Sequence, residues 1–310
     1  MSYTRKTSAT QINLYNKCPF AYYIQYKLKL KPPLTFALVK GSLLHAVLEK
    51  FYDINIRSSG VNKFNYQDEF QKHIFNVLES TLIEKRTRFG KSVPTYKEEL
   101  KSICSDDFEY AKEISDCKKI LRNFVTFYCM QLEQYLDKYG NISQAFYTSK
   151  PKFRELDLSL ENFYAIADCI PKYSDKLAID DYKSSTLYDD GFNDEHELQL
   201  LLYCYAYWKK NGEMPLKGRI IYLRYGIRCQ YKFTEEEVKN CENYINEFLD
   251  KTESDNPKMY PLNIYDKFCT CSLSEHPNGK GFKSGFTCGW QEFCNKKIEE
   301  GTVVVINNTE

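Results

Sequence analysis

Two aspartates and a lysine near the middle of the chain have residue types and a spacing that could bind a metal ion. Asp168 lies in one β-compatible segment, Phe163–Ile170, and Asp181 lies in the next, Leu177–Lys183. The polar stretch Tyr173–Lys176 between them is typical of the turn of a β-hairpin. A turn centred on this stretch places Asp168 directly opposite Asp181.

This arrangement predicts a particular chemistry. Cross-strand partners have Cβ atoms about 4.5–5.5 Å apart, and two like charges directly opposite each other destabilise a sheet. A divalent cation is the simplest compensation, because hard cations bind carboxylate oxygens. Lys183 follows Asp181 by two residues and therefore points to the same face. The pattern indicates the metal site of a nuclease with an ammonium group beside it; a solvated hairpin with scattered charges is the alternative.

The overall charge bounds the kind of partner. The 310 residues include 43 Lys and Arg against 42 Asp and Glu, for a formal net charge of +1. Composition therefore gives no support to a nucleic-acid partner, and any basic surface must be local. Glu84–Lys91, with the sequence EKRTRFGK, is one local concentration of positive charge. It could contact a phosphate backbone or be an ordinary solvated loop.

The sequence has no signal for export or membrane insertion. The N-terminus, MSYTRKTSATQ, lacks an apolar signal segment, and no run approaches the roughly 18–20 apolar residues of a membrane span. We expect a cytoplasmic protein with reduced thiols. Cys18 lies near the start of the chain, and four of the 12 cysteines crowd into its last fifth: Cys269, Cys271, Cys288 and Cys294.

The first half of the chain has the periodicity of helices. Residues 8–28 carry apolar positions at helical spacing, interrupted at Pro19. Gly41–His45 opens a second helix, and His45 lies on the flank of its apolar stripe. A histidine in such a position is more often a core residue than a ligand. Further helices are predicted between residues 62 and 147.

Strand patterns begin after Ser149. Phe153–Leu160 alternates in polarity and carries Glu155, and the hairpin follows. Gln199 and Tyr203 are four residues apart on an apolar helix, so they share a face. Three segments follow the hairpin: the helix His196–Trp208, the buried strand Gly218–Cys229 and the acidic amphipathic helix Thr234–Asp250.

The order of these segments predicts an α/β fold with a helical N-terminal insertion and no clean linker. Residues 1–150 form a mostly helical region that carries Cys18 and His45. Residues 151–255 contain the strands and the hairpin. Residues 256–310 form a cysteine-rich module that we expect to pack on the N-terminus.

Together these landmarks resemble the PD-(D/E)xK nuclease superfamily, in particular its RecB-like branch. That branch includes the iron–sulfur exonucleases of CRISPR adaptation and the nuclease domains of recombination helicases. The resemblance rests on motifs that occur in the family's order: Cys18-Pro19-Phe20-Ala21-Tyr22-Tyr23, Gly41-x3-His45, Asp168, Asp181-Tyr182-Lys183, Gln199-x3-Tyr203 and Cys288-x5-Cys294.

The resemblance implies a restriction-endonuclease-like core, in which a mixed central sheet is flanked by helices, and a set of residue roles. His45, Asp168 and Asp181 would ligate Mg²⁺ or Mn²⁺ with the backbone carbonyl of Tyr182, and Lys183 would orient or activate the attacking water. Gln199 and Tyr203 would steady the lysine and approach DNA, and Glu155 would be an outer-shell carboxylate. Oxygen ligands suit Mg²⁺, and Mn²⁺ tolerates the histidine better.

The cysteines resemble an iron–sulfur ligand set with one departure. The family pattern is one N-terminal cysteine and a C-terminal Cys-x2-Cys-x5-Cys, but position 285, three before Cys288, is glycine. Cys269 or Cys271 could supply the missing ligand of a [4Fe–4S] cluster, together with Cys18, Cys288 and Cys294. The alternative is a Zn²⁺ ion held by the four C-terminal cysteines.

The resemblance therefore implies a metal-dependent DNA nuclease, an exonuclease acting on single strands or ends. The pathway would be CRISPR adaptation in antiviral defence, phage replication or recombination. A separate helicase or a CRISPR integrase chain would be its partner, and no membrane is involved. The alternative from another class is a catalytically silent DNA-binding or scaffold module, against which the intact Asp168, Asp181 and Lys183 argue.

Overall fold

The computed structural model describes residues 5–88, 90–171, 177–185, 193–265, 269, 271 and 288–306. It divides the chain into two compact units. The larger comprises Leu34–Leu160 and Ala165–Lys239, and the smaller comprises Met1–Pro33, Glu161–Tyr164 and Asn240–Glu310. The fold is mixed α/β with a central sheet and helices, as expected. The division at residues 150 and 255 stays a prediction.

The α-helices of the described part are α1 (Ala9–Lys17), α2 (Pro19–Tyr22), α3 (Phe36–Phe51), α4 (Tyr66–Ile83), α5 (Tyr96–Ile103), α6 (Asp107–Tyr139), α7 (Ile142–Ser149), α8 (Asp194–Asn211), α9 (Glu235–Lys251) and α10 (Gln291–Glu299). A π-helical turn follows α2 at Tyr23–Lys27, and a short 3-10 helix spans Pro257–Met259. The strands are β1 (Thr7–Ser8), β2 (Arg86–Arg88), β3 (Lys91–Val93), β4 (Phe153–Asp157), β5 (Phe163–Tyr164), β6 (Ile166–Ile170), β7 (Ile179–Lys183), β8 (Lys217–Tyr222) and β9 (Ile227–Lys232).

A five-stranded sheet in the order β4-β6-β7-β8-β9 is the centre of the larger unit. Strands β7 and β8 are parallel, and the other neighbouring strands of this sheet are antiparallel. A parallel pair needs a crossover connection, and α8 provides it. Strands β6 and β7 pair through Cys169 and Asp180. This register puts Asp168 opposite Asp181, as the sequence predicts, while the predicted turn at residues 173–176 lies outside the described residues.

The crossover helix packs closely on the sheet. A Cβ atom at Gly218 of β8 would lie 2.8 Å from the Cβ of Leu200 on α8. No side chain fits in this space without a shift of the helix, so the glycine permits the close approach. The position of α8 fixes where its polar residues meet the sheet.

The helical half of the larger unit shares its core with the sheet. Phe51 of α3 makes edge-to-face contacts with Phe70 of α4 and with Phe124 of α6, at centroid distances of 5.7 and 5.2 Å. Cys169 and Tyr182 from β6 and β7 belong to the same apolar cluster. Aromatic pairs in these geometries stabilise beyond the area that they bury. The helices therefore support the back of the strands that carry the predicted site.

Two local predictions in the first half of the chain are wrong. Helix α3 begins at Phe36 and not at Gly41, because the Thr35 hydroxyl accepts a hydrogen bond from the amide of Leu38 and caps the helix earlier. The segment 84–91 is not a loop. Its residues form most of the antiparallel hairpin β2–β3, in which Gly90 has a positive φ of 72°.

The predicted single strand Gly218–Cys229 is also wrong, because two antiparallel strands occupy that stretch. Strand β8 ends at Tyr222 and β9 begins at Ile227. Gly226 has a φ of 63°, a left-handed conformation that glycine adopts without steric cost. The chain can therefore reverse there despite the apolar residues on both sides.

The smaller unit begins with a capped helix and a proline break. The Ser8 hydroxyl accepts a hydrogen bond from the amide of Gln11 at the start of α1. Cys18 stands between α1 and α2, and Pro19 occupies the first position of α2. Among the described residues, no helix is long and apolar enough to cross a membrane.

Candidate active site

Three neighbouring strands of the sheet place three carboxylates in one row. Asp168 of β6 stands between Asp181 of β7 and Glu155 of β4. The β4–β6 ladder pairs the residues on either side of Glu155 but omits Glu155 itself. Glu155 has a φ of 44°, in the left-handed region that a non-glycine residue rarely adopts. Such conformations cost about 1–3 kcal/mol and cluster at functional sites.

His45 of α3 completes a group of potential metal ligands. Its Nδ1 lies 3.1 Å from Oδ1 of Asp168 and 4.0 Å from Oε1 of Glu155. In the part of the chain that the structure describes, one group of three side chains has all its ligand atoms within 4.8 Å of one another, and it consists of these residues. The ring of His45 thus faces two carboxylates, and its role as a metal ligand stays a prediction.

The pKa values at the site follow from burial and from this clustering. Burial lowers the pKa of His45, but the charge and the hydrogen bond of Asp168 outweigh it and raise this pKa to about 9. Burial and the charge of Asp168 raise the pKa of Glu155 to about 7. Burial also raises the pKa of Asp181, which Lys183 only partly offsets. Keeping these buried carboxylates charged costs folding free energy, and a bound cation would reduce that cost.

Asp181 and Lys183 form a close pair on β7. The Lys183 ammonium nitrogen lies 2.6 Å from Oδ2 of Asp181. This oxygen is buried, and the ion pair with Lys183 is its contact among the described residues. Carboxylate oxygens are ligands that hard divalent cations prefer. Asp181 therefore fits the ligand set that His45, Glu155 and Asp168 begin.

Gln199 links the crossover helix to both residues of this pair. Its Oε1 accepts a hydrogen bond of 2.8 Å from Lys183 Nζ. Its Nε2 donates to Oδ1 of Asp181 and to the hydroxyl of Tyr203, at 3.0 Å each. The amide is thereby oriented from three sides. The structure thus brings Gln199 and Tyr203 together with Lys183 and Asp181. Gln199 and Tyr203 share one face of α8, as their spacing in the sequence predicts.

Tyr182 contributes its backbone to the site and its side chain to the core. Its amide donates a hydrogen bond of 2.7 Å to Oδ2 of Asp168. This bond fixes the carboxylate beside His45. The Tyr182 ring makes an edge-to-face contact with Phe124 at 5.9 Å. The same residue therefore orients the Asp168 carboxylate and ties β7 to the helical core.

Sequence reasoning missed other polar residues around the site. Arg154, next to Glu155, donates hydrogen bonds to the backbone carbonyl of Glu49 and, at 2.9 Å, to Asp53. Nδ1 of His196 lies 2.9 Å from the hydroxyl of Tyr222. His196 precedes Gln199 by three residues, and that helical spacing was the available signal. The position of Glu155 within ligand distance of His45 had no sequence signal beyond its place on a strand.

The five cysteines of the predicted cluster all lie in the smaller unit. Cys269, Cys271 and Cys294 are buried in one apolar cluster, and Cys18 and Cys288 pack against it. The sulfur atoms of Cys269 and Cys271 are 3.2 Å apart. Burial raises the pKa of the Cys18 and Cys294 thiols. The first helices and the C-terminal cysteines thus pack in one apolar cluster. Most of residues 266–287 lie outside the described part.

The C-terminal segment also approaches Cys18 through its backbone. Asn263 donates a side-chain hydrogen bond of 2.8 Å to the carbonyl of Lys17. The amide of Phe20 donates to the carbonyl of Pro261 at 3.2 Å. Both contacts flank Cys18 in the sequence. The corner between α1 and α2 is therefore fastened to the segment that leads to Cys269.

A sheet with a parallel central pair, an Asp and an Asp-x-Lys on adjoining strands, and a helical Gln-x3-Tyr define a class of hydrolase. The sequence profile of the PD-(D/E)XK nuclease superfamily matches residues 6–273, and the chain belongs to this superfamily.

Three similar curated proteins, all from Clostridium perfringens, are each described as one of the subunits of an ATP-dependent helicase/deoxyribonuclease. The protein of strain SM101 is 28% identical over 255 residues, covering 75% of this chain and 21% of that protein. The proteins of strain ATCC 13124 and of strain 13 are 27% identical with the same coverage. The chain thus spans about a fifth of the length of the curated relatives that it matches. These relatives support the RecB-like resemblance, while the CRISPR-associated branch stays a prediction.

Proposed function

We propose that this chain is a divalent-metal-dependent deoxyribonuclease that hydrolyses phosphodiester bonds. Membership in a nuclease superfamily supports hydrolysis, and the deoxyribonuclease name of the similar proteins supports DNA as the substrate. The observation that carries the proposal is the juxtaposition of His45, Glu155 and Asp168 beside the Asp181–Lys183 pair.

His45, Asp168 and Asp181 would hold Mg²⁺ or Mn²⁺, with the Tyr182 carbonyl as a further ligand. Glu155 lies close enough to His45 and Asp168 to join them, so we assign it to the ligand group and not to an outer shell. The bound ion would polarise the phosphoryl oxygen and neutralise the charge that develops on it. The buried carboxylates hold their positions through the Tyr182 amide and the Gln199 amide.

Lys183 would hold the attacking water by a hydrogen bond from its ammonium group. Gln199 and Asp181 fix the ammonium, and Tyr203 fixes Gln199 in turn. The water oxygen bonds to phosphorus and gives up a proton to solvent, while the bond from phosphorus to one ester oxygen breaks. That oxygen takes up a proton from solvent, so a phosphomonoester and a hydroxyl group result. Fixed positioning of this kind supplies a large part of such rate enhancements.

The finer specificity is an inference from resemblance. We propose an exonuclease that acts on single-stranded DNA or DNA ends in the cytoplasm. A separate helicase chain is the favoured partner, because the similar proteins are described as parts of a helicase/deoxyribonuclease. CRISPR adaptation with an integrase partner, phage replication and recombination are the pathways that the motifs allow.

We further propose that Cys18, Cys288, Cys294 and either Cys269 or Cys271 bind a [4Fe–4S] cluster. The packing of these cysteines in one apolar core supports this proposal. A Zn²⁺ ion held by Cys269, Cys271, Cys288 and Cys294 is the alternative.

Cleavage of end-labelled DNA tests the nuclease assignment. Asp181→Ala and Lys183→Ala should each lower the Mg²⁺- or Mn²⁺-dependent cleavage rate by about 10³-fold or more. Lys232→Ala is the matched control, because Lys232 is an exposed strand lysine. Circular dichroism should show that all variants stay folded. If both site variants cleave like the control, the assignment is wrong, and DNA binding without any cleavage would favour the silent module.

A further inference from the structure

The first turn of α8 carries a polar contact to the sheet that the proposed reaction does not use. Nδ1 of His196 lies 2.9 Å from the hydroxyl of Tyr222 on β8. Tyr222 is buried and His196 is half-buried, and both belong to the larger unit, as does the candidate active site. An apolar pair would dock the helix without the desolvation cost of polar groups. A directional bond at this place therefore points to a requirement for a fixed position.

The register of the sheet places this pair beside Lys183. Tyr222 is the partner of Lys183 in the parallel pair β7–β8. Neighbouring strands are about 4.8 Å apart, and partners in register project to the same face of the sheet. Burial raises the pKa of Tyr222, and the nearby charge of Asp181 adds to this effect. Because β6 and β8 lie on opposite sides of β7, Tyr222 flanks the Asp181–Lys183 pair on the side away from Asp168.

Helix α8 lies over this same face of β8. Positions 218, 220 and 222 of the strand alternate to one side of the sheet. Near one end of the strand, a Cβ atom at Gly218 would lie 2.8 Å from the Cβ of Leu200. At the other end, Tyr222 contacts His196. Gln199 stands between these two contacts along the helix, so they fix its backbone against the strand from both sides.

The cap of α8 is also attached to the sheet by a tyrosine. The Asn193 side chain accepts a hydrogen bond of 3.2 Å from the amide of His196. The amide of Asn193 donates at 2.9 Å to the hydroxyl of Tyr231 on β9. Helix ends tend to fray, but here hydroxyls from two neighbouring strands hold the cap and the first turn. The start of α8 therefore has a defined position on the sheet.

We propose that His196 is a positioning residue that holds Gln199 in place through its hydrogen bond to Tyr222. The Gln199 amide can then orient Lys183 and Asp181. This inference rests on the proposed nuclease function and adds a residue to the same site. The hydrogen bonds of Gln199 are 2.8 to 3.0 Å long, so a shift of the helix by about 1 Å would break them. A misplacement of this size costs up to about 10²-fold in rate.

The test is steady-state cleavage of a labelled single strand with Mg²⁺. His196→Ala and Tyr222→Phe break the same hydrogen bond from its two ends, and each should lower kcat about five- to tenfold with KM within twofold. The double variant should lose no more than either single variant, because only one bond is removed. Tyr128→Phe is the matched control and should keep kcat within twofold. It removes the hydroxyl of another buried tyrosine, which bonds Oγ of Ser149 at 2.8 Å in the helical half of the unit.

Two further variants separate positioning from a general loss of structure. His196→Asn puts an amide atom where Nδ1 stands and should restore kcat to within about threefold of the parent. His196→Gln carries its amide one bond farther out and should not restore it. In the background of Gln199→Ala, His196→Ala should lower kcat less than twofold further, because the group that it positions is already absent. Circular dichroism should show that these variants stay folded.

If His196→Ala and Tyr222→Phe both cleave like Tyr128→Phe while the parent cleaves DNA, the positioning role is wrong and the nuclease function stands. A rise in KM at constant kcat, or a full loss from His196→Ala in the background of Gln199→Ala, would also overturn it, since His196 would then contact DNA directly. If the folded parent does not cleave DNA with Mg²⁺ or Mn²⁺, both proposals are wrong. Should His196→Ala fail to fold, Tyr222→Phe decides, because it removes a single oxygen atom.

Discussion

Glu155 lies opposite Asp168 in the register of β4 and β6, yet the ladder between these strands omits it because its backbone is left-handed. The residues on both sides of Glu155 pair with β6 as in an ordinary antiparallel sheet. The conformation therefore serves one side chain, whose carboxylate it places within ligand distance of His45 and Asp168. Backbone strain kept at one position of a regular strand is typical of a functional site.

Replacing Glu155 should separate stability from activity. Glu155→Gly removes the strain and Glu155→Ala retains it, although both remove the carboxylate. We expect the glycine variant to exceed the alanine variant by about 1 kcal/mol in the free energy of unfolding. Both should need about 10–100-fold more metal for half-maximal cleavage. Urea unfolding and metal titration measure the two effects, and equal stability of the two variants would contradict the strain.

Gln199 should act on turnover more than on DNA affinity, because it holds Lys183 and Asp181 by hydrogen bonds. We expect Gln199→Ala to lower kcat about 10–100-fold with KM within twofold, since a displaced lysine no longer positions the water. Tyr203→Phe keeps the amide and should lose less than about tenfold. Steady-state kinetics on a labelled strand separates the parameters. An increase of KM at constant kcat would identify Gln199 as a DNA contact instead.

The cysteines should bind iron. Anaerobically purified protein should be brown and carry about four irons per chain. Cys18→Ala should bleach it and lower its melting temperature, because the link between the first helices and the C-terminal segment is lost. Of Cys269→Ala and Cys271→Ala only one should remove iron, and we expect it to be Cys269. Cys241→Ala is the control, a buried cysteine of the same unit.

Metal analysis and visible absorption check the cluster directly. A colourless protein with one zinc ion, in which Cys18→Ala behaves like the parent, would replace the iron–sulfur cluster by Zn²⁺. That outcome would leave the nuclease proposal intact, because the site residues all belong to the larger unit.

Asp116 should make the fold sensitive to acid. Its carboxylate accepts hydrogen bonds from Arg224 and Lys40, and these hold its pKa well below the ordinary value. A carboxyl group with a lowered pKa in the folded state contributes stability above the pKa of the unfolded chain, and this stability is lost as the pH falls further. We therefore expect the melting temperature to decrease once the pH is lowered below about 4.

The matched variant for this prediction is Asp116→Asn, which cannot titrate. It should be less stable than the parent at pH 7, and the difference should shrink as the pH is lowered toward 3. Thermal unfolding monitored by circular dichroism at several pH values measures both curves. A constant difference across this range would show that Asp116 does not link protonation to folding.

The parts of the site that depend on local periodicity could be predicted from sequence. The register of β6 and β7 follows from alternation about one turn, and the shared face of Gln199 and Tyr203 follows from helical spacing. The position of His45 against Asp168 depends on the packing of α3, and the periodicity of the sequence does not predict it. Its place in the family's motif order was the signal that kept it among the candidates.

The errors have physical causes too. Thr35 extends α3 to an earlier start through a cap that was not recognised. Gly226 divides one apolar stretch into two strands, and Gly90 turns the basic segment into a hairpin. Both glycines are turn signals that sequence reading could have used. The left-handed Glu155 is different, because tertiary contacts impose that conformation on a residue with no preference for it.

The two sides of the candidate site differ in how far apart along the chain their residues lie. Lys183, Asp181 and Gln199 meet across separations of 16 and 18 residues, within one β7–α8–β8 crossover. His45 meets Asp168 across a separation of 123 residues. Closing so long a loop is entropically costly, and such contacts tend to form late in folding. A partly folded chain would then have Lys183 and Asp181 in place before His45 joins Asp168. We therefore expect metal-dependent cleavage to arise only with the finished fold.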